Sequence, residues 1–167
     1  MTLADQYFIK AHEEYPWSIE ATLENLQYAL SYDPEHVDAN YLMGRVMFEE
    51  FERFEDAEEY FQAALGSQPR HHKTGMEYAR LLLRMQRYPE AKKLLTYIET
   101  LVGVDPVALG RLWAQFHEMQ GQLEEALAYL QRAQYRTMCV GDEEDLTAEI
   151  ERVQRKQRMG NPFVYVE

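Results

Sequence analysis

The sequence contains a single cysteine, Cys139, and no long run of apolar residues. One cysteine excludes an intramolecular disulfide and a cysteine-rich metal site, so we expect Cys139 to act as a small, half-buried apolar residue. The longest apolar stretches, such as residues 126–130, are far shorter than the roughly 20 residues of a membrane-spanning helix. The first residues also lack the basic start and apolar run of a secretory signal. We therefore expect a cytoplasmic protein that does not enter a membrane.

Basic residues are scarce relative to acidic ones. The chain has 17 Lys and Arg against 29 Asp and Glu, which gives a net charge of −12. Binding to nucleic acid is driven mainly by Lys and Arg that neutralise phosphates, and anionic membrane surfaces attract the same residues. The charge therefore argues against both kinds of partner, although a local basic patch remains compatible with it.

Motifs that carry catalysis or hold a cofactor are also missing. The sequence has no H-E-x-x-H motif, no glycine-rich phosphate loop, no G-x-S-x-G motif and no Cys/His pairing. His71 and His72 are adjacent and so cannot face one direction on a helix, and we expect them to be solvated. The acidic run at 49–59 lacks the alternating Asp/Asn and the central glycine of a calcium loop. We predict no enzyme activity, no metal site and no cofactor.

What the chain does contain is a pattern that returns four times, every 34 to 35 residues. The first series of equivalent positions is apolar and comprises Ile19, Phe54, Tyr88 and Leu123. The second, three residues later, comprises Thr22, Ala57, Ala91 and Ala126. The third lies earlier in each repeat and comprises Lys10, Gly44, Ala79 and Ala114. A period of this length, with small and aromatic residues, is typical of stacked helical hairpins, and we expect Ala57, Ala91 and Ala126 to be buried.

The predicted organisation is a repeat domain at 1–137, a capping helix and a tail. Its four hairpins cover residues 3–34, 37–69, 71–105 and 106–137, each with a helix A followed by a helix B. The capping helix is expected at 142–160, with Asp142 as N-cap and Gly160 as the stop. It carries one narrow apolar stripe, which suits the end of a repeat array: Leu146, Ile150 and Val153. Residues 161–167 are expected to be extended and to pack on an apolar surface.

These residues resemble the tetratricopeptide repeat family. The second repeat carries the family pattern almost completely, with Gly44 in helix A and with Phe54, Ala57, Phe61 and Pro69 in and after helix B. The fourth repeat matches well, whereas the first is the most degenerate. The resemblance implies an all-α, right-handed helical-hairpin solenoid, a tetratricopeptide-like superhelix of about four repeats plus the cap. It also implies that each helix A lines a concave groove and that the protein binds other proteins.

Placed on that family geometry, the helices A give the groove a basic and aromatic character. The predicted binding residues are Tyr7, Tyr41, Arg45, Phe48, Lys73, Met76, Arg80, Arg84, Arg111 and Gln115. Arginine with aromatic neighbours is typical of binding hot spots, and its guanidinium suits carboxylates. The alternative is that these cations only pair with Glu14, Asp38, Glu77 or Glu118. The Lys and Asn set with which some family members hold C-terminal carboxylates is absent, since Ala11 and Arg45 occupy the places of asparagines.

Two functions follow from this pattern. The first is a non-catalytic adaptor or scaffold that holds an acidic or carboxylate-bearing peptide of a protein partner in the groove. The second is a self-assembling, homo-oligomeric repeat unit in which the groove or the tail contacts another copy, for example in a homodimer. The sequence favours the first function because arginine and aromatic residues alternate along the predicted groove.

Overall fold

The structure, a computed structural model, describes residues 1–160, and these residues form nine helices and no strand. The helices are α1 (Leu3–Glu14), α2 (Ile19–Tyr32), α3 (Val37–Glu49), α4 (Phe54–Ser67), α5 (His72–Arg84), α6 (Tyr88–Ile98), α7 (Pro106–Met119), α8 (Leu123–Arg136) and α9 (Val140–Met159). The all-α fold predicted from the repeats is confirmed. The chain divides into two compact units, Met1–Met85 and Gln86–Glu167. The first contains α1 to α5 and the second α6 to α9.

In the first unit, α1 packs on α2 and α3 packs on α4 as helical hairpins. Small residues allow the close approach of these helices: Ala11 and Ala29 are fully buried in the first pair, and Ala57 is fully buried in the second. Gly44 of α3 lies against the buried ring of Phe61 of α4. The repeat pattern thus records where the two helices of a hairpin touch.

The second unit is built around the α7–α8 hairpin, on which α9 packs. Its core joins Leu130 of α8 to the apolar stripe of α9, which is buried as predicted at Leu146, Ile150 and Val153. Ion pairs flank this stripe. Arg111 Nε of α7 donates to Glu149 of α9 at 2.7 Å, and Lys156 of α9 donates to Glu118 of α7 at 2.6 Å.

Three positions correct the sequence expectations. Helix α9 begins at Val140 with Cys139 as N-cap, so Asp142 lies inside the first turn instead of capping it. Cys139 is exposed, because it precedes the helix instead of packing beneath it. In the first repeat Lys10 is exposed and Ala11 is fully buried, so Ala11 is the small residue of that hairpin.

Other expectations are confirmed. Ala57, Ala91 and Ala126 are all fully buried. Helix α9 ends at Gly160, whose φ of 70° suits a residue without a Cβ. The predicted tail, 161–167, lies outside the described residues.

Candidate functional site

In the first unit, α3 and α5 contact each other and carry seven of the predicted binding residues, six of which are exposed or half-buried. The spacing of three or four residues puts those of each helix on one face. We call this the α3–α5 surface; it consists of Tyr41, Arg45, Lys73, Met76, Arg80 and Arg84. Tyr41, Arg45 and Met76 are half-buried, whereas Lys73, Arg80 and Arg84 are exposed.

Arg45 is the cation of the α3–α5 surface with the most contacts to other side chains. Its Nη2 donates to Glu49 Oε2 at 2.9 Å and to Oε1 at 3.2 Å, and the Tyr15 hydroxyl donates to the same Oε2 at 2.5 Å. The guanidinium also lies 5.3 Å from the ring centre of Tyr15 and 5.9 Å from that of Tyr41, within cation–π range. Three side chains thus fix the orientation of Arg45.

The pKa values of Glu49, Arg45 and Tyr15 are all shifted by their mutual contacts and by burial. Burial acts to raise the pKa of Glu49, but the hydrogen bonds from Tyr15 and Arg45 outweigh it and lower the pKa overall. Burial alone would lower the pKa of Arg45, and Glu49 more than compensates, so the pKa lies above its ordinary value. Burial and the bond to Glu49 raise the pKa of Tyr15. Around neutral pH the group is an arginine–carboxylate pair with a neutral phenol.

On α5, Arg80 lies between two carboxylates. Its Nη1 is 3.1 Å from Glu77 Oε2 and 3.9 Å from Glu49 Oε1. The Glu77 side chain is only 13% exposed. Burial raises its pKa, and the charges of Arg80 and Arg45 oppose that shift. Arg80 is therefore the main cation that opposes the effect of burial on this carboxylate.

His71 closes the N-terminal end of this surface. Its Nδ1 lies 2.6 Å from Thr74 Oγ1, its Nε2 lies 3.6 Å from Asp38 Oδ1, and its ring meets the Tyr41 ring edge-on at 5.8 Å. Burial lowers the pKa of His71, and Asp38 opposes that shift. The expectation of a solvated histidine is wrong at this position, because the side chain is only 15% exposed.

Each arginine of the α3–α5 surface has a carboxylate near it. Arg45 pairs with Glu49, Arg80 with Glu77, and Arg84 Nη2 lies 3.8 Å from Glu52. The alternative that the cations pair internally therefore holds for Arg80 and Glu77. Donors remain, since each arginine has five N–H groups and the Arg80 and Arg84 side chains are 44% and 53% exposed. Lys73 has no carboxylate partner within residues 1–160.

The other predicted residues lie elsewhere. Phe48 is 8% exposed and packs edge-on against Phe54, so its assignment to an open groove is wrong. Tyr7 stacks on two tyrosines of α2 at 5.1 and 5.8 Å. Arg111 and Gln115 belong to the second unit, where Arg111 binds Glu149 of α9 and Gln115 is half-buried on α7.

Sequence reasoning missed Tyr15 and Glu49 as members of this site. The Arg45–Glu49 pair has i, i+4 spacing, which the sequence displays and which indicates a helix-surface ion pair. The contact of Tyr15 with Glu49 joins residues 34 positions apart and needs the packing of α1 on α3. No local signal could have identified it.

Within the described residues, no cluster of His, Cys, Asp and Glu has the arrangement of a metal site. Among residues 1–160, no helix has the length and apolarity needed to span a bilayer.

The paired helices, the buried small residues and the polar helix A surfaces define a helical-repeat protein. Two tetratricopeptide repeat models match the chain, one at residues 20–72 and the other at residues 50–98. Over residues 20–98 the chain is therefore similar to the tetratricopeptide repeat family. Repeats of this kind generally mediate contacts between proteins.

Solved structures share the fold. A thermophilic TPR protein of Thermus thermophilus has a TM-score of 0.75 at 16% identity, over 92% of this chain and 82% of its own. PilF of Pseudomonas aeruginosa has a TM-score of 0.75 at 20% identity, over 94% and 70%. PilW, a type IV pilus biogenesis factor, has a TM-score of 0.76 at 18% identity, over 93% and 72%. No curated protein sequence matches the chain.

Proposed function

We propose that the protein is a non-catalytic adaptor whose α3–α5 surface binds an extended, acidic or carboxylate-bearing segment of a protein partner. The observation that carries this proposal is the row of exposed cations along one face of α5: Lys73, Arg80 and Arg84. They lie beside the stacked group of Tyr41 and Arg45. Exposed cations next to aromatic rings suit a ligand with both carboxylates and apolar groups.

The internal ion pairs determine how such a ligand binds. Glu49 already occupies Arg45 through a well-aligned pair, so an incoming carboxylate gains little there. Arg84 and Lys73 are more available, because the contact of Arg84 with Glu52 is 3.8 Å and Glu52 is 74% exposed. We therefore expect the ligand carboxylates to contact the solvent side of α5, with Tyr41 as an apolar neighbour.

A direct test uses a defined acidic probe, fluorescein-labelled octaglutamate, with octalysine as the charge-reversed probe. Lys73→Glu/Arg84→Glu should weaken octaglutamate binding by at least about tenfold, equivalent to about 1.4 kcal/mol. Raising the salt concentration should weaken wild-type binding too, because the Debye length falls to roughly 3 Å at 1 M salt. Arg80 is left intact because it lies 3.1 Å from the nearly buried carboxylate of Glu77.

The matched control is Arg155→Glu/Arg158→Glu on α9, which makes the same change in net charge at exposed positions. In this control, the affinity for octaglutamate should fall by no more than about twofold relative to the wild type. Equal losses in both variants would mean that only net charge matters and would contradict the proposal. With the same two variants, affinity capture from the source cell would identify the natural partner, and cell fractionation would test the proposed cytoplasmic location.

Self-assembly is a second candidate, favoured by the exposed apolar residues of the first hairpin. Trp17 is 87% exposed and Tyr32 is 56% exposed, with further exposed apolar side chains at Leu3, Ile9 and Tyr28. Outer faces of repeat arrays are normally polar. If a second copy covers these residues, the mass in solution should be that of an oligomer, and Trp17→Ser/Tyr32→Ser should restore the monomer. A wild-type monomer at high concentration would exclude this function.

A further inference from the structure

The first and the fourth hairpin are built on the same plan. In α1 and α2, Ala11 and Ala29 are the buried small residues of the hairpin. The equivalent residues of α7 and α8 are Ala114 and Ala133, which are also buried. Two further core positions correspond at the same offsets, Ala4 to Val107 and Leu26 to Leu130. Each position in one hairpin therefore has a counterpart in the other.

At one place the counterparts differ in kind. In the first hairpin, Tyr7 of α1 stacks on Tyr28 and Tyr32 of α2, with ring centres 5.1 and 5.8 Å apart and interplanar angles of 28° and 8°. Lys10 Nζ lies 5.1 Å from the Tyr7 ring. Three aromatic rings thus occupy this side of the contact between the two helices.

The fourth hairpin replaces all three rings. Gly110 stands at the position of Tyr7, Arg132 at that of Tyr28, and Arg136 at that of Tyr32. A cleft of about 380 Å³ occurs at this place, and the three substituted residues line it. Its apolar wall comes from Leu101, Val104 and Leu109. We call this cleft the Gly110 notch.

The charge of the notch is unusual for this acidic chain. Arg132 and Arg136 are exposed, and neither makes an ion pair with any of residues 1–160. The guanidinium of Arg132 lies 5.7 Å from the ring centre of Tyr129, which lines the notch as well. Glu99 is the one carboxylate in the described lining, so the cations outnumber it. By contrast, every arginine of the α3–α5 surface already has a carboxylate partner.

We infer that the Gly110 notch docks an aromatic side chain of a protein partner that carries carboxylates close to the ring. The first hairpin shows what fills this place in the same architecture, namely an aromatic ring lying between the two helices. The two unpaired arginines supply the charge complement, because guanidinium groups bind carboxylates through paired N–H donors. A volume near 380 Å³ lies in the range of about 300–1,000 Å³ that is usual for ligand sites.

This site lies in the second unit and is separate from the α3–α5 surface of the first unit. Its occupant is also different in kind. The α3–α5 surface is proposed to hold an extended acidic segment, whereas the notch holds one ring as an anchor. A result that contradicts one of the two proposals therefore does not contradict the other.

The test uses three fluorescein-labelled pentapeptides as probes, with the full chain as receptor. The first is Glu-Glu-Tyr-Glu-Glu, the second replaces Tyr by Ala, and the third keeps Tyr but replaces each Glu by Lys. Burial of an aromatic side chain should make the tyrosine peptide bind about ten- to a hundredfold more tightly than its alanine version. The lysine version should bind more weakly still, because it meets two cations.

Two variants locate the binding. Arg132→Glu/Arg136→Glu changes only exposed side chains and should reduce tyrosine-peptide binding at least about tenfold. The triple variant Gly110→Tyr/Arg132→Tyr/Arg136→Tyr transfers the rings of the first hairpin and should abolish the preference for tyrosine over alanine. A Cβ on Gly110 would lie 3.3 Å from the Ala133 Cβ, so the helical content of this variant is checked first. If the triple variant does not fold, Arg132→Glu/Arg136→Glu alone tests whether the peptide binds in the notch.

Controls separate this site from the other surface. Lys73→Glu/Arg84→Glu on α5 and Arg155→Glu/Arg158→Glu on α9 should both keep the preference for tyrosine over alanine. Equal binding of the tyrosine and alanine peptides, or full tyrosine-peptide binding in Arg132→Glu/Arg136→Glu, would overturn the inference. Wild-type oligomers that dissociate in Arg132→Glu/Arg136→Glu would also overturn it, since the occupant would then be a second copy.

Discussion

Gly44 marks the closest approach of α3 and α4. A Cβ built at this position would lie 2.6 and 2.7 Å from two ring carbons of Phe61, which is fully buried. Real Cβ atoms do not approach other carbon atoms this closely, so the ring or the helix must move. Because protein interiors are close-packed, the surrounding side chains leave the ring little room. The glycine is therefore required by packing and not by backbone conformation.

We predict that Gly44→Ala lowers the free energy of unfolding by about 1–3 kcal/mol, the usual cost of overpacking a core. Urea denaturation followed by far-UV circular dichroism measures it. The matched control is Gly66→Ala in α4, where a Cβ meets nothing within 4 Å. Alanine there should leave stability unchanged or raise it by about 0.5–1 kcal/mol. Equal effects in the two variants would contradict the packing argument.

At the scale of the helices, the N-terminal ends of α1, α3 and α5 are joined by a repeated contact. Asp5 of α1 completes a capping box with Thr2 and lies 3.1 Å from Nε2 of His36. His36 caps α3, since its Nδ1 accepts the Ala39 N–H at 3.1 Å, which leaves Nε2–H to donate to Asp5. His71, at the start of α5, approaches Asp38 of α3 in the same manner, at 3.6 Å.

This arrangement predicts a dependence of stability on pH at Asp5. The hydrogen bonds from Thr2, and then that from His36, lower the pKa of Asp5 to about 2 from 3.8. A carboxylate with a lowered pKa stabilises the fold above its unfolded pKa, and this contribution is lost as the pH falls towards 2. Asp5→Asn should therefore lower the Tm at pH 5 to 7 and have little effect near pH 2.

The control for Asp5 is Glu13→Gln on the same helix. Glu13 is exposed and makes no side-chain bond within residues 1–160. The Tm of the Glu13→Gln variant should equal that of the wild type at every pH. If Asp5→Asn and the wild type had the same Tm at neutral pH, the helix-end contact would have no role in stability.

For the whole molecule, the net charge of −12 opposes folding through self-repulsion. Internal ion pairs act in the other direction, but exposed pairs contribute only about 0–1 kcal/mol each. The better-shielded pair of Arg45 and Glu49, with both side chains 28% exposed, is screened less by salt than the exposed pairs. Screening should therefore weaken the repulsion more than it weakens the pairs.

We predict that raising NaCl from about 0.01 M to about 0.1 M raises the Tm by roughly 2–4 °C, equivalent to about 1 kcal/mol for a chain of this size. The Debye length falls from roughly 30 Å to roughly 10 Å over this range. Differential scanning calorimetry measures the Tm, and KCl should raise the Tm by the same amount as NaCl. A fall in Tm with salt would show that the ion pairs, and not the net charge, dominate.

Much of the fold could be predicted because the repeated residues are those at which the two helices of each hairpin pack together. Ala57, Ala91 and Ala126 are small where helices of a hairpin approach, and periodicity alone reveals such positions. Helix ends were predictable where one residue controls the backbone, as at Gly160. The start of α9 was not, because no side chain caps it and Asp142 offered a misleading local signal. In the first repeat, the small residue of helix A was assigned to Lys10, whereas the structure shows that it is the next residue, Ala11.

By itself, the sequence determined the helical-hairpin class, the buried small residues and the acidic balance of the chain, all of which follow from composition and period. Only the tertiary structure decided which charges meet. Arg111 is paired with Glu149 because α9 packs on the α7–α8 hairpin, and Phe48 is buried because α4 covers it. The Gly110 notch likewise depends on what α7 and α8 leave unfilled. A periodic pattern specifies the face of a helix, whereas distances between side chains depend on the packing of several helices.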